Sequence, residues 1–198
     1  MAERFELSEK ERHYLGEVAR WGVLCGFAGK EPNPAELPEP PEGPLRHEMG
    51  SFVTLTLNGN LRGCIGTIVP YEPLHCNVAQ MAYAAAFQDP RFPSITHAEW
   101  ERTQMEISVL SPMQPCPNPE RIEVGRHGLV LRLGGHTGVF LPKVPVEQGW
   151  DRDAYLENLC RKAGLPAGSW HDPEAELYWY EALAFSVGTS SSPHCQNA

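Results

Sequence analysis

The sequence lacks several features that would assign it to a common functional class. No apolar run is long enough to cross a bilayer, and the longest, residues 78–87, is typical of a buried helix. The net charge is −9 and no run of lysine or arginine offsets it, whereas nucleic-acid-binding proteins usually carry a basic patch. We therefore expect neither membrane insertion nor nucleic-acid binding.

Recognisable metal, redox and cofactor motifs are also missing. The six cysteines form no Cys-x-x-Cys pair, and His75 and Cys76 have no further ligands at metal spacing. No P-loop, dinucleotide fingerprint, nucleophile elbow or His-Glu-x-x-His helix occurs, so no metal site is expected and the cofactor stays unknown. Residues 1–10 carry frequent charges and no apolar run, so we expect no export signal, a cytoplasmic location and six free thiols.

The sequence does contain an ordered series of helix and strand patterns. Ser8 and Glu11 form a capping box before a helical stripe that ends near Gly26. Six prolines in residues 29–44 predict a loop, and Asn58-Gly59 predicts the turn of an antiparallel hairpin over residues 51–68. The later patterns predict helices over 74–88, 96–102 and 151–163 and strands over 104–111, 129–133, 137–141 and 176–187.

This order is neither a βαβ alternation nor an all-β series. It predicts an α+β fold, with a mostly antiparallel sheet and packed helices, in one domain over residues 8–187. The polar, serine-rich residues 188–198 are expected to form a disordered tail.

Residues 61–66, Leu-Arg-Gly-Cys-Ile-Gly, hold the strongest candidate for chemistry. On a strand, Arg62 and Cys64 point to the same face, and a cationic neighbour lowers the pKa of a thiol. Gly63 and Gly66 leave bare backbone, which marks a close approach by a ligand or another backbone. The alternatives are a structural cysteine in a tight hairpin and an Arg62 that pairs with an acid to hold the fold.

The hexapeptide resembles the signature of the AMMECR domain family, whose bacterial and archaeal members are called AmmeMemoRadiSam system protein A. Matching motifs continue in order at residues 89–93, 106–111, 125–128, 141–144, 149–150 and 162–165. The resemblance implies a larger and a smaller lobe, formed from one chain, with the hexapeptide at the cleft between them. The family name also implies a pathway shared with a Memo-like protein and a radical-SAM enzyme as partners.

Four further residues are candidates for the same site. His127 is the candidate base for Cys64, because histidine is the commonest partner of a catalytic cysteine, and the alternative is an exposed turn histidine. Arg91 offers a fork for a carboxylate or phosphate, or Asp89 and Arg91 simply anchor their loop. Glu106 faces either the cleft or water.

Two hypotheses for function follow. In the first, Cys64, together with Arg62, binds or transforms a small molecule or a modified peptide group. In the second, the chain is a non-catalytic binding module that presents its cleft or surface to the Memo-like and radical-SAM partners. The residues leave open whether the protein is an enzyme.

Overall fold

The computed structural model describes residues 5–69 and 71–188. The predicted disorder of the tail and the predicted free state of Cys195 concern residues outside this range, apart from Gly188. The chain divides into a larger compact unit, Glu6–Val109 with the chain from Leu183, and a smaller one, Leu110–Ala182 with the start of the chain. The strand pairs described below are antiparallel, and the predicted α+β class is confirmed.

The larger unit packs two long helices on a sheet. Its elements are α1 (Glu9–Phe27), β1 (Ser51–Leu57), β2 (Asn60–Thr67), α2 (Leu74–Phe87), α3 (His97–Trp100) and β3 (Thr103–Leu110). The predicted capping box is present, with Ser8 accepting from Glu11 N–H. The buried stripe of α1 runs through Gly22 and Val23, whereas Leu24 is 53% exposed.

The hairpin of β1 and β2 turns at Asn58 and Gly59, as predicted. Both residues have positive φ angles, 52° and 79°, which this two-residue turn requires. The register then shifts: Leu55 lies opposite Gly63 but Thr56 lies opposite Leu61. Arg62 is therefore the extra residue of a β-bulge, and this bulge decides which face of the sheet Cys64 occupies.

The smaller unit is a sheet with one helix packed on it. Its elements are β4 (Gln114–Pro115), β5 (His127–Leu133), β6 (His136–Phe140), α4 (Lys143–Glu147), α5 (Arg152–Lys162) and β7 (Glu176–Val187), of which the residues from Leu183 belong to the larger unit. Tyr155, Leu156 and Leu159 of α5 are fully buried against Leu129 and Leu131 of β5.

Helix α4 has no counterpart among the helices that the sequence patterns predict. Pro145 is buried at the third helical position. Proline is tolerated in a first helical turn because the backbone N–H groups there have no partner within the helix. None of the described helices has the combined length and apolarity that crossing a membrane requires.

Candidate functional site

Cys64 lies in β2, which is the edge strand of the sheet in the larger unit and pairs only with β1 on one side. The unpaired side of an edge strand normally presents free backbone groups. At Cys64 these groups are bound by two side chains. Its N–H donates to Asp89 Oδ2 at 2.8 Å, and its carbonyl accepts from Arg91 Nη2 at 3.1 Å.

Asp89 and Arg91 form a compact ion pair on their own turn. Asp89 Oδ1 accepts from Arg91 Nε at 2.9 Å, and Oδ2 accepts from Nη2 at 2.7 Å. Asp89 is 4% exposed, and its bonds to Arg91 hold the pKa of its carboxyl well below the usual value. The pair thus replaces a neighbouring strand at Cys64, which matches the anchoring alternative considered for this motif.

The thiol of Cys64 lies on the sheet face opposite to the helices. Cys64 and Glu106 both lie opposite Thr54, in β2 and β3 respectively, so the three side chains form one row across three strands. Cys64 Sγ is 3.2 Å from Thr54 Oγ1 and is partly exposed, while Glu106 is exposed to water on the same face. With strands about 4.8 Å apart, Glu106 lies roughly 10 Å from Cys64.

Arg62 pairs with Glu99 and not with Cys64, the neighbour that its position on the strand suggested. It is 8% exposed, and its Nε and Nη2 donate to the two carboxylate oxygens of Glu99 at 3.0 and 3.2 Å. This pairing lowers the pKa of Glu99 to about 2. Arg62 therefore ties the bulge to α3, and the guanidinium that contacts Cys64 is that of Arg91.

The two glycines of the hexapeptide are explained by packing. A Cβ on Gly63 would lie 2.0 Å from the carbonyl oxygen of Ala85 in α2, so glycine lets this helix approach β2. A Cβ on Gly66 would lie 2.3 Å from the ring of Phe52. Protein atoms fill the space beside both glycines, in agreement with the close approach of another backbone or side chain.

His127 lies in the smaller unit, at the start of β5, and is 7% exposed, so it is not an exposed turn histidine. Its Nδ1 accepts from Glu123 N–H at 3.1 Å, and its ring lies 4.6 Å from the ring of Trp179. Burial, followed by the charge of Arg126, lowers its pKa. That His127 shares a site with Cys64 stays a prediction.

The other cysteines provide a comparison for Cys64. Cys25, Cys76, Cys116 and Cys160 are also unpaired, and burial raises the pKa of each thiol. Cys76 Sγ contacts its neighbour His75 Nε2 at 3.3 Å. Over residues 5–69 and 71–188, no group of three or more histidine, cysteine or acidic residues is placed to hold a metal ion.

Two residues of this site were not identified from the sequence. Thr54 was missed because a two-residue turn without a bulge places it opposite Gly63 and not opposite Cys64. Glu99 forms a capping box with Thr96 at the start of α3, and its carboxylate also binds Arg62. The partner of Arg62 comes from more than 30 residues away, and no local pattern indicates it.

Comparisons with known proteins agree with the fold and the motifs. A model of the AMMECR1 family matches residues 17–185. The chain is 37% identical to protein NEQ441 of Nanoarchaeum equitans, and the match covers 86% of this chain and 97% of that protein. It is 39% identical to a protein of Aquifex aeolicus, and this match covers 89% of this chain and 91% of that protein. The crystal structure of the uncharacterised protein PH0010 from Pyrococcus horikoshii superposes with a TM-score of 0.75 at 35% identity, covering 92% of this chain and 94% of that one. This chain therefore belongs to the AMMECR1 family.

Proposed function

We propose that this AMMECR1-family protein binds or transforms a small molecule or a modified peptide group at Cys64. The observation that carries the proposal is the placement of its thiol. Asp89 binds the backbone N–H of Cys64 and Arg91 binds its carbonyl oxygen, while the partly exposed Sγ lies beside the Thr54 hydroxyl. A rigid backbone that presents a thiol to solvent is what a nucleophile or an attachment site requires.

The Thr54 hydroxyl supplies the main chemical support for the thiol. When Cys64 loses its proton, the hydroxyl donates to the thiolate across the 3.2 Å that separates Oγ1 from Sγ. The charge of Arg91 contributes less, because its guanidinium is paired with the Asp89 carboxylate and its side chain is 53% exposed. Arg62 supports the site indirectly, because its bond to Glu99 maintains the bulge next to Cys64.

Glu106 is suited to bind the distal part of a substrate. It lies on the same sheet face as Cys64, about 10 Å away, with the Thr54 side chain between them. A ligand that reacts at the thiol and extends across Thr54 reaches this carboxylate with an amine or hydroxyl group. His127 as the base, and a cleft between the two units, remain part of the proposal on sequence grounds.

The partners and the compartment are proposed on the same sequence grounds. We place the protein in the cytoplasm, in a pathway with Memo-like and radical-SAM proteins. The five cysteines within the described part of the chain are unpaired, as a reducing compartment maintains them. The second candidate function is a non-catalytic module for these partners. The observation that favours it is the full use of Arg62, Asp89 and Glu99 in bonds that hold the fold.

The deciding experiment measures the alkylation rate of each thiol in the folded protein by iodoacetamide pulses from pH 6 to 9 and peptide mass spectrometry. Cys25 and Cys116 are the internal controls, because both are also partly exposed and burial raises their pKa. We expect Cys64 to react at least about fivefold faster than either. Equal rates, with a folded Cys64→Ser variant that retains partner binding, would favour the module.

A matched pair of variants tests the role of the hydroxyl. Thr54→Val keeps the shape of the side chain and removes the oxygen, whereas Thr54→Ser keeps the oxygen. Loss of one hydrogen bond to the thiolate is expected to slow Cys64 labelling about fivefold in the valine variant only. Unchanged labelling of the valine variant would remove Thr54 from the site.

A further inference from the structure

A cavity of about 920 Å³ opens in the smaller unit and is lined only by residues of that unit. Its volume lies within the range of small-molecule sites, which are mostly apolar with a few convergent polar groups. The aromatic part of its wall includes Trp179 and Tyr180, and the polar part includes Arg121, Arg126 and His127. No sequence motif pointed to this cavity, apart from the candidate His127.

His127 presents a hydrogen-bond donor to the cavity. Its Nδ1 accepts from Glu123 N–H, so the proton of the neutral ring is on Nε2. Nε2 has no partner among the described residues, and in this part of the chain every buried side-chain nitrogen and oxygen has one. Nε2 is therefore not fully buried, and it belongs to a side chain of the cavity wall. The lowered pKa keeps the ring neutral at pH 7, with this donor in place.

Arg121 is the cation that remains for a ligand. The other arginine in the wall, Arg126, is neutralised by Glu181 at 2.7 Å and Glu123 at 2.9 Å. Arg121 has no carboxylate partner among residues 5–69 and 71–188, and its guanidinium carbon lies 5.9 Å from the centroid of the Trp179 ring. Arg121 is also close enough to His127 to help lower its pKa.

The two hydrogen-bond donors, His127 and Arg121, therefore lie beside the same side chain, the indole of Trp179. Both the His127 ring and the Arg121 guanidinium contact Trp179, which is only partly buried and offers an aromatic surface inside the cavity. The carboxylate of Glu120 lies in the same wall and has no partner among the described side chains. Its negative charge opposes a dianion but tolerates a ligand with a single negative charge beside Arg121.

We propose that this cavity binds a small aromatic monocarboxylate. Its carboxylate bridges the Arg121 guanidinium and His127 Nε2–H, and its ring packs on the partly exposed indole of Trp179. Arginine suits this role because its planar fork matches a carboxylate and stacks on aromatic rings. The lining residues all belong to the smaller unit and do not include Cys64, so binding here is expected not to require its thiol. In this cavity His127 serves as a donor to the ligand, which replaces its sequence-based assignment as the base for Cys64.

The test is a titration of the ¹⁵N-labelled full chain with indole-3-carboxylate, followed by the indole N–H signal of Trp179, which the Trp179→Phe variant assigns. The neutral isostere indole-3-carboxamide is the matched ligand control. We expect the carboxylate to shift the Trp179 signal in a saturable way and the carboxamide to bind about tenfold more weakly or worse. No shift, or equal binding of both compounds, overturns the proposal.

Matched arginine variants locate the charge. Arg121→Gln is expected to weaken indole-3-carboxylate binding about tenfold. Arg132→Gln is the control, because Arg132 also lies over an aromatic ring, Tyr178 at 5.4 Å, but outside the cavity wall, and this variant should bind normally. Equal weakening by both variants contradicts the site. Arg121 is exposed, so its replacement is expected to leave the fold intact, which the amide spectrum checks.

The Cys64→Ser variant separates this inference from the proposed function. Unchanged binding of indole-3-carboxylate in that variant is the expected result, and a loss of binding overturns an independent pocket. The iodoacetamide experiment on Cys64 has its own outcome, so either idea can fail without the other.

Discussion

Replacing Asp89 by asparagine tests the anchor at Cys64 with a change of minimal size. Asp89→Asn keeps the shape of the side chain but removes its charge. The carboxylate accepts four bonds, one from Cys64 N–H and three from Arg91, at 2.7 to 3.1 Å. An amide has a single oxygen, so its NH₂ group faces at least one of these donors, and Asp89 is only 4% exposed.

The expected loss of stability can be worked out from these contacts. A hydrogen bond to a charged group contributes about 1.5–3 kcal/mol, and leaving a buried N–H without a partner costs about 1–3 kcal/mol. The share of Arg91 is small, because its side chain is 53% exposed and water can solvate the released guanidinium. We therefore expect Asp89→Asn to lower the free energy of unfolding by about 2–3 kcal/mol.

Urea denaturation measures this loss, and we expect the midpoint to fall by about 1 M. Glu39→Gln is the matched control. It removes a carboxylate whose partner is Arg46, but Glu39 is 81% exposed, so about 0.5 kcal/mol or less is expected. If the urea midpoint of Asp89→Asn lies as close to that of the wild type as the midpoint of Glu39→Gln does, Asp89 does not anchor the Cys64 backbone.

The pH dependence of Asp89 has a definite sign. Its folded pKa lies below the unfolded value of about 3.9, so the stabilisation is present above pH 3.9 and is lost as the pH falls through the folded pKa. The Asp89→Asn variant should lack this part of the acid dependence. A variant that loses stability in acid as steeply as wild type would contradict the assignment.

Three further outcomes follow from the structure. Gly63→Ala should lower the free energy of unfolding in urea by about 3 kcal/mol, because the new Cβ would lie 2.0 Å from Ala85 O. Gly59→Ala is the control and should cost only about 1 kcal/mol, because Gly59 lies in an open turn where only its φ of 79° disfavours alanine. Because the pKa of folded His127 is lowered, its neutral ring contributes fully to folding stability above about pH 6.5, and this contribution declines on acidification. The melting temperature of the wild type should therefore fall more between pH 7.5 and 5 than that of His127→Gln. Tyr155→Phe should cost about 1–2 kcal/mol, because its buried hydroxyl donates to the carbonyl of His127 at 3.2 Å, and an unchanged urea midpoint would contradict that bond.

Local chemistry made much of the fold predictable. The capping box at Ser8 and Glu11 starts α1, and Asn58-Gly59 closes the hairpin, because each signal acts between residues close in sequence. Helix α4 was missed because two prolines, at positions 142 and 145, are typical of a loop. A helix accepts them only where they fall at its N-cap and in its first turn, and this placement depends on the surrounding packing.

The sequence by itself determined that Cys64 lies on the returning strand of a hairpin, between glycines and in a recognisable family motif. Only the tertiary structure decided where the thiol points. A regular two-residue hairpin would place Cys64 opposite Val53, on the buried face, but the bulge at Arg62 moves it opposite Thr54. Glu99 holds Arg62 and the Asp89–Arg91 pair holds the backbone of Cys64, across 25 to 37 residues of chain. Because the Arg62–Glu99 pair and the bonds from Asp89 and Arg91 to the Cys64 backbone join segments that meet only in the folded chain, no pattern along the sequence specifies them.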